Sequence, residues 1–395
     1  MSISLFLLLL LALAAAAYVA GRARAEMVAG GDIRRLHSLP RQHGLNLAIA
    51  FALPALVGYA AWRMAGAGGG LWASLLILAL GAASALAVWL ALKPETRARN
   101  EVEAATKLFL VACSVIAVAT TIGIFLSLIF ETIAFFQKYP AAKFLFGTKW
   151  APDFRGGSDL GVIPLLWGTL YVSAIALAVA VPVGLFAAIY MSEYASPRVR
   201  SLAKPAIELL AGIPTIVYGL FALITVGPML RDWIAQPLGL GSSGASVATA
   251  GIVMGVMIIP FVSSLSDDII NAVPQSLRDG SLGLGATPSE TIRQVVLPAA
   301  LPGIVGAVLL AASRAIGETM IVVLGAGAAA KLSLNPFEAM TTMTVKIVSQ
   351  LTGDTDFAAP ETLVAFALGL TLFLITLALN ILALVIVRKY REQYE

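Results

Sequence analysis

Nine runs of about 18 or more mostly apolar residues divide the chain, each long enough to cross a bilayer as a helix: 3–20, 45–63, 71–92, 107–136, 162–190, 205–227, 246–264, 299–325 and 361–387. The pattern predicts an all-α polytopic membrane protein. No charged side chain precedes the first run, and Arg22 and Arg24 follow it directly, which fits an N-out anchor better than a cleaved signal peptide. Between runs, 64–70 (MAGAGGG) reads as a tight turn, and 137–161, rich in aromatics, Gly and Pro, as an interfacial loop.

Composition agrees. Of 395 residues, 59% are hydrophobic and 12% charged, with a mean hydropathy of +0.91, against roughly half and a quarter in soluble domains. The net charge of +4 comes from short basic clusters between apolar runs, a mark of topology and not of nucleic-acid binding. With the N-terminus outside, the inside segments hold 16 Lys and Arg (Arg22, Arg24, Arg34, Arg35, Arg41, Lys93, Arg97, Arg99, Arg198, Arg200, Lys204, Arg278, Arg293, Arg388, Lys389, Arg391). The outside segments hold 8 (Arg63, Lys138, Lys143, Lys149, Arg155, Arg231, Lys331, Lys346). This favours N-out, C-in. One cysteine, Cys113, and two histidines, His37 and His43, leave no disulfide framework, thiol metal site or His-based triad to assign.

The inside segment 266–298 is more than a connector. Pro274 can open a short helix, Gly283 and Gly285 suit a helix end or sharp turn, and Thr287-Pro288-Ser289-Glu290 is a helix start. Thr287 is its N-cap, Pro288 its first residue and Glu290 the return arm of a capping box. The expected product is helix, glycine turn, helix, with Val295, Val296 and Leu297 entering the membrane. That lever on a membrane face suits a pushing partner; an ordinary structured loop is the plainer alternative.

Asp279-Gly280-Ser281, then Gly285, then Val295, Leu297 and Pro298 resemble the EAA motif of ABC-importer permeases. Asp279 replaces its Glu, Gly280-Ser281 its Ala-Ala, and Val295 its Ile. IELLAGIPTIVYGL (207–220), GIVMGVMIIPF (251–261) and SRAIGETM (313–320) are similar to the phosphate-specific, PstC-type members of that binding-protein-dependent family. The resemblance covers about 105–390. It implies a type I ABC-importer transmembrane domain with a six-helix core over 101–395, about three extra transmembrane helices in 1–100, and a coupling loop at 266–298 carrying Asp279, Gly285, Thr287, Glu290, Leu297 and Pro298. It implies a bacterial inner-membrane permease, non-catalytic and without cofactor, surrounded by membrane lipid. Its partners would be a second (PstA-like) permease, a (PstB-like) ATPase dimer using ATP and Mg, and a periplasmic (PstS-like) phosphate-binding protein. In agreement, GAGAAAKLS (325–333) has Ala330 where a phosphate loop needs its last Gly, and GSLGLG (280–285) has Pro288 at the third glycine position of a dinucleotide fingerprint.

Within the eighth run, Arg314 and Glu318 stand four residues apart, so a continuous helix would place them on one face. They form either a structural ion pair or part of an anion pathway. Arg presents paired donors to phosphate oxygens; Glu318 can hold Arg314 when no anion is present, or accept a hydrogen bond from protonated phosphate, which sulfate cannot offer. The resemblance implicates both residues in transport. Thr215 and Tyr218 are pore-lining candidates or bonds to a neighbouring helix, Pro214 bends its helix, and Glu208 pairs with Lys204 or a nearby arginine. Gly251 and Gly255 form a GxxxG. A permease for sulfate or molybdate, an ion-coupled secondary transporter, and a membrane sensor of phosphate supply are the competing readings. Against the secondary transporter, the sequence shows no paired broken helices.

Overall fold

In the computed structural model, described for residues 2–30, 32–66, 70–153, 157–353 and 359–391, contacts divide the chain into two units, Met1–Gly123 and Ile124–Glu395. Arg155 and parts of the predicted 64–70 turn and 137–161 loop lie outside the described residues.

The first unit holds α1 (Ile3–Val28), α2 (Pro40–Met64), α3 (Leu71–Ala91) and the start of α4 (Ala98–Lys138). Helices α1 to α3 alternate in direction and meet through small residues, because association in lipid depends on close packing. A Cβ on Gly81 would lie 2.5 Å from the Phe51 carbonyl oxygen. Phe6, Leu10, Leu47, Phe51 and Leu78 fill the centre, and Phe6 stacks on Tyr59 at 3.9 Å.

The second unit continues with α5 (Ala141–Phe146), the antiparallel pair β1 (Trp150–Ala151) and β2 (Asp159–Leu160), α6 (Ile163–Ile189), α7 (Pro197–Ala211), α8 (Thr215–Phe221), α9 (Gly227–Leu230) and α10 (Val247–Asn271). It ends with α11 (Gln275–Gly283), α12 (Pro288–Thr291), α13 (Leu297–Ile316), α14 (Met320–Gly325), α15 (Met343–Gly353) and α16 (Pro360–Arg391). Its axis is α10, packed alongside α6 with both helices running the same way. The predicted GxxxG faces α6: Cβ atoms on Gly251 and Gly255 would lie 2.7 and 2.8 Å from Ile175 and Val179. Met254, Ile258 and Val262 on α10 join Val172 and Ala176 of α6 and Ile321 of α14 in the main core.

Among the described residues nine helices are long and apolar enough to cross a membrane, yet two differ from the predicted runs. The expected span 205–227 is two elements: α7, then a helix from Thr215 to Ala235 that absorbs π turns around α9. Pro214 does not merely bend a helix. Its ring disfavours helical geometry at Ile213, so α7 stops at Gly212 and α8 restarts with Pro214 as N-cap. The expected span 299–325 begins at Pro288 and breaks after Ile316. The two interruptions are neighbours, since a Cβ on Gly219 would lie 2.9 Å from the Met320 carbonyl oxygen. Both predicted runs are therefore broken, each at one end of the span the structure shows, which the sequence reading does not anticipate.

Gly168 sits where a Cβ would lie 2.1 Å from the Thr341 carbonyl oxygen, whereas Gly123 faces nothing within 4 Å. Gly168→Ala is expected to cost about 1–3 kcal/mol through overpacking and lower the melting temperature in detergent. Gly123→Ala should leave it unchanged or raise it slightly.

Candidate functional site

Arg314 and Glu318 do not share a helix face. Gly317 closes α13, and the Glu318 carboxylate turns to the next segment, accepting the Met320 N–H at 3.0 Å and the Ile321 N–H at 3.5 Å. An acidic side chain that satisfies the free N–H groups of a following turn favours a new helix start over continuation. The Glu318 carbonyl, released by the break, accepts the Thr344 hydroxyl at 2.9 Å. The ion pair expected from four-residue spacing is therefore not formed. Among the described residues no carboxylate lies within 4.0 Å of the Arg314 guanidinium. Arg314 is exposed and Glu318 half-buried. The guanidinium carbon stands 5.8 Å from the centre of the Phe261 ring on α10, a cation–π contact that leaves its N–H donors open.

Tyr218 is buried, and its hydroxyl donates to the Leu210 carbonyl at 2.8 Å, bridging the interruption between α7 and α8. Of its two sequence readings, the geometry gives the bond to a neighbouring segment. Thr215 is half-buried in the first turn of α8.

In segment 266–298, α10 runs to Asn271, so the connector is shorter than predicted. Pro274 is the N-cap of α11, not its first residue, and Gly285 takes a φ of +90°, open to glycine at little cost. The capping box forms as read: Thr287 Oγ accepts the Glu290 N–H at 3.3 Å, and Glu290 Oε2 accepts the Thr287 N–H at 2.8 Å. The second helix is not a separate arm. One π turn, Ile292–Val296, carries α12 into α13, so a push on the loop acts directly on the Arg314 helix. Leu297 packs beside Val296 and Ala300, while Pro298 is exposed. Asp279 is exposed and accepts the Gln275 amide at 3.1 Å. No residue of α11 is buried, and Leu284 beyond it is 92% exposed.

Sequence reasoning missed the ion network beneath this loop. Asp267 on α10 is 1% exposed and receives Lys204 at 2.8 Å, Arg200 at 3.3 Å and the Asn271 amide at 3.0 Å. Arg200 and Lys204, one helical turn apart on α7, were legible as a pair of cations; their partner was hidden because Asp267 was assigned to the loop. Glu208, expected to pair with Lys204, lies beyond ion-pair distance of any cation among the described residues. A second pair joins Arg278 of α11 to Glu193 in the π turn ending α6, and Arg278 also donates to the Ile270 carbonyl at 2.8 Å. The loop is thus tied to α6 and α10, and the end of α10 beside it to α7. The hydrogen bond to Asp267 holds the Lys204 ammonium above the usual lysine range. A raised folded value means that its contribution is complete below the ordinary lysine pKa and is lost only as pH climbs through the raised one.

Comparison with known proteins fits this architecture. The family model described as "Binding-protein-dependent transport system inner membrane component" matches residues 180–392, and one described as "Phosphate ATP-binding cassette transporter" matches 7–69. YqgH of Bacillus subtilis (strain 168), an ABC transporter permease protein by name, is 33% identical over 272 residues, covering 68% of this chain and 86% of its own. The phosphate transport system permease protein PstC 1 of Mycobacterium tuberculosis (strain ATCC 25618 / H37Rv) is 38% identical over 252 residues, covering 59% and 74%. A solved bacterial alginate ABC transporter, in complex with alginate pentasaccharide-bound periplasmic protein, aligns with a TM-score of 0.48 at 16% identity, covering 73% of this chain and 96% of that one. The chain belongs to the family of binding-protein-dependent transport system inner membrane components. It is an all-α, polytopic permease of the type I ABC-importer fold.

Asp267→Asn leaves two partly exposed cations without their shared anion. It is expected to lower stability by about 1–3 kcal/mol, below the cost for a fully buried pair because solvent screens both cations. Thermal denaturation in detergent measures it, with Asp268→Asn, on an exposed neighbour, changing little.

Proposed function

We propose that this chain is the permease subunit of an ATP-driven importer of inorganic phosphate, and that Arg314 lies on the anion's path. One observation carries the second part: a guanidinium within an apolar span, exposed and, among the described residues, without a carboxylate partner. A bare charge at that depth is costly in lipid, so such a side chain faces a water-filled passage or a partner protein. Its planar donors suit phosphate oxygens. The substrate reading rests on the names of relatives, phosphate transport system permease proteins from several bacteria.

Glu318 acts here by position and by charge. Its carboxylate fixes the break that ends α13 one turn beyond Arg314. The same group can accept a hydrogen bond from the protonated oxygen that phosphate carries at neutral pH, and it repels fully ionised sulfate. A second, PstA-like permease completes the passage, with 101–395 as the transport core and 1–100 as an accompanying membrane piece. A PstS-like binding protein delivers phosphate outside. A PstB-like ATPase dimer uses ATP and Mg inside, and the chain itself catalyses nothing and binds no cofactor. The ATPase docks on the 266–298 face, where Leu284 offers an open apolar contact and α12 transmits the push into α13. The N-terminus lies outside and the C-terminus in the cytoplasm of the bacterial inner membrane, with the basic clusters inward.

Uptake of labelled phosphate and sulfate by phosphate-starved native cells lacking only this gene tests the reading. The wild-type gene is expected to restore phosphate uptake alone. Arg314→Ala should lower uptake about 10- to 100-fold at normal membrane levels, the loss of a charge-assisted hydrogen bond. Normal uptake by that variant would remove Arg314 from the path; restored sulfate uptake would reassign the substrate. Glu318→Gln keeps an acceptor for the Met320 N–H, so the fold should persist while phosphate uptake and rejection of sulfate weaken. Leu284→Asp is expected to abolish uptake while leaving the melting temperature within about a degree, because that side chain packs on nothing.

A further inference from the structure

Helices α1 to α3 do not close completely. Leu13, Ala17 and Ala20 of α1, Phe51 of α2, and Ala85 and Trp89 of α3 border a groove of about 360 Å³. The alanines leave it shallow-walled and apolar, and Leu13 is itself exposed at its margin. Positions 13, 17 and 20 recur at helical spacing on one face, and the next residue on that face is Arg24.

Arg24 is not neutralised. Its guanidinium carbon lies 4.7 Å over the Trp89 ring, and its Nε is buried without a hydrogen-bond partner. Among the described residues no carboxylate lies within 4.0 Å of it, whereas Arg22 pairs with Glu26 at 3.0 Å. The groove therefore ends at a cation held in place by an aromatic face, with outward donors unclaimed. The eleven steps from Leu13 to Arg24 rise about 16 Å along the helix, close to half of a hydrocarbon core of about 30 Å. That is the depth of one leaflet, so the groove and the cation beyond it together match an acyl chain and its headgroup. Arg34, Arg35, Arg41, Lys93, Arg97 and Arg99 follow at the same ends of these helices. Basic pockets between transmembrane helices at such a face select anionic headgroups.

We propose that the N-terminal unit binds an anionic glycerophospholipid, one acyl chain lying in the groove and its phosphate on Arg24. The lipid holds the three helices together where their side chains do not meet. This site is independent of the transport pathway and does not rest on phosphate being the cargo.

The test uses the full chain purified in detergent and examined by native mass spectrometry with phosphatidylglycerol or phosphatidylethanolamine of identical acyl chains. Wild type is expected to retain phosphatidylglycerol about five-fold better. Arg24→Gln should bring that ratio close to one, and Arg22→Gln, whose charge is already paired, should leave it unchanged. Ala85→Trp fills the groove and should reduce retention of both lipids. Equal retention by wild type, or an unchanged ratio in Arg24→Gln, overturns the proposal. So does displacement of bound phosphatidylglycerol by excess inorganic phosphate, which would make Arg24 an anion site and not a lipid site. Should Ala85→Trp fail to fold, Arg24→Gln alone decides.

Discussion

A helix break next to a membrane span leaves backbone groups that lipid cannot satisfy, and the second unit meets that demand at two neighbouring breaks. It contains two interruptions, at Gly212–Pro214 and at Gly317–Thr319, packed against each other through Gly219. Each recruits side chains as substitutes for lost helical bonds. Tyr218 supplies a hydroxyl to the Leu210 carbonyl at the first; Glu318 supplies a carboxylate to two N–H groups at the second, while Thr344 supplies a hydroxyl to the Glu318 carbonyl. Polar residues on these spans are thus partly consumed by the backbone. Arg314 is left over: its guanidinium lies over the Phe261 ring and, among the described residues, pairs with no carboxylate.

A continuous helix transmits force along its axis; the two adjacent breaks interrupt that path beside the packed centre on α10 and α6. The loop 266–298 is built for the opposite property. Arg278 on Glu193 ties it to the end of α6, and Asp267 between Arg200 and Lys204 ties the adjoining end of α10 to α7, so the connector is anchored at both sides. If an ATPase docks on this face as proposed, load placed on α11 is shared among these helices.

How much of this was legible in the sequence depended on the range of the interaction. The capping box at Thr287 and Glu290 involves residues three apart, and it formed as read. So did the close packing signalled by Gly251 and Gly255, where small size is itself the message. The Arg314–Glu318 pairing failed for a local reason that the apolar run obscured. Hydropathy reports burial in lipid and is blind to helix continuity, and Gly317 followed by an acidic residue is a stop signal only if the following turn presents its N–H groups. Pro214 was noticed but read as a bend, although the glycine two residues before it made a full stop easier. Asp267 escaped for a different reason. Its partners Arg200 and Lys204 lie more than sixty positions away, and the early end assigned to α10 placed it in solvent.

If Arg314 lies on the anion's path as proposed, its separation from Glu318 bears on selectivity. Had they formed an ion pair, an anion would have had to displace a carboxylate already bound to the guanidinium, and affinity would carry the cost of breaking that pair. With Glu318 bound to the α14 N–H groups instead, the guanidinium is open before the anion arrives. The carboxylate is a fixed negative group four residues further along the chain, its position set by backbone bonds and not by the ligand. An anion approaching Arg314 then meets attraction and repulsion whose balance depends on its own charge. A monoprotonated phosphate offers a proton toward the carboxylate, while a fully ionised oxyanion offers none. Discrimination of this kind needs no change of shape on binding, because Glu318 is held by the turn after the break and Arg314 by α13 against the Phe261 ring.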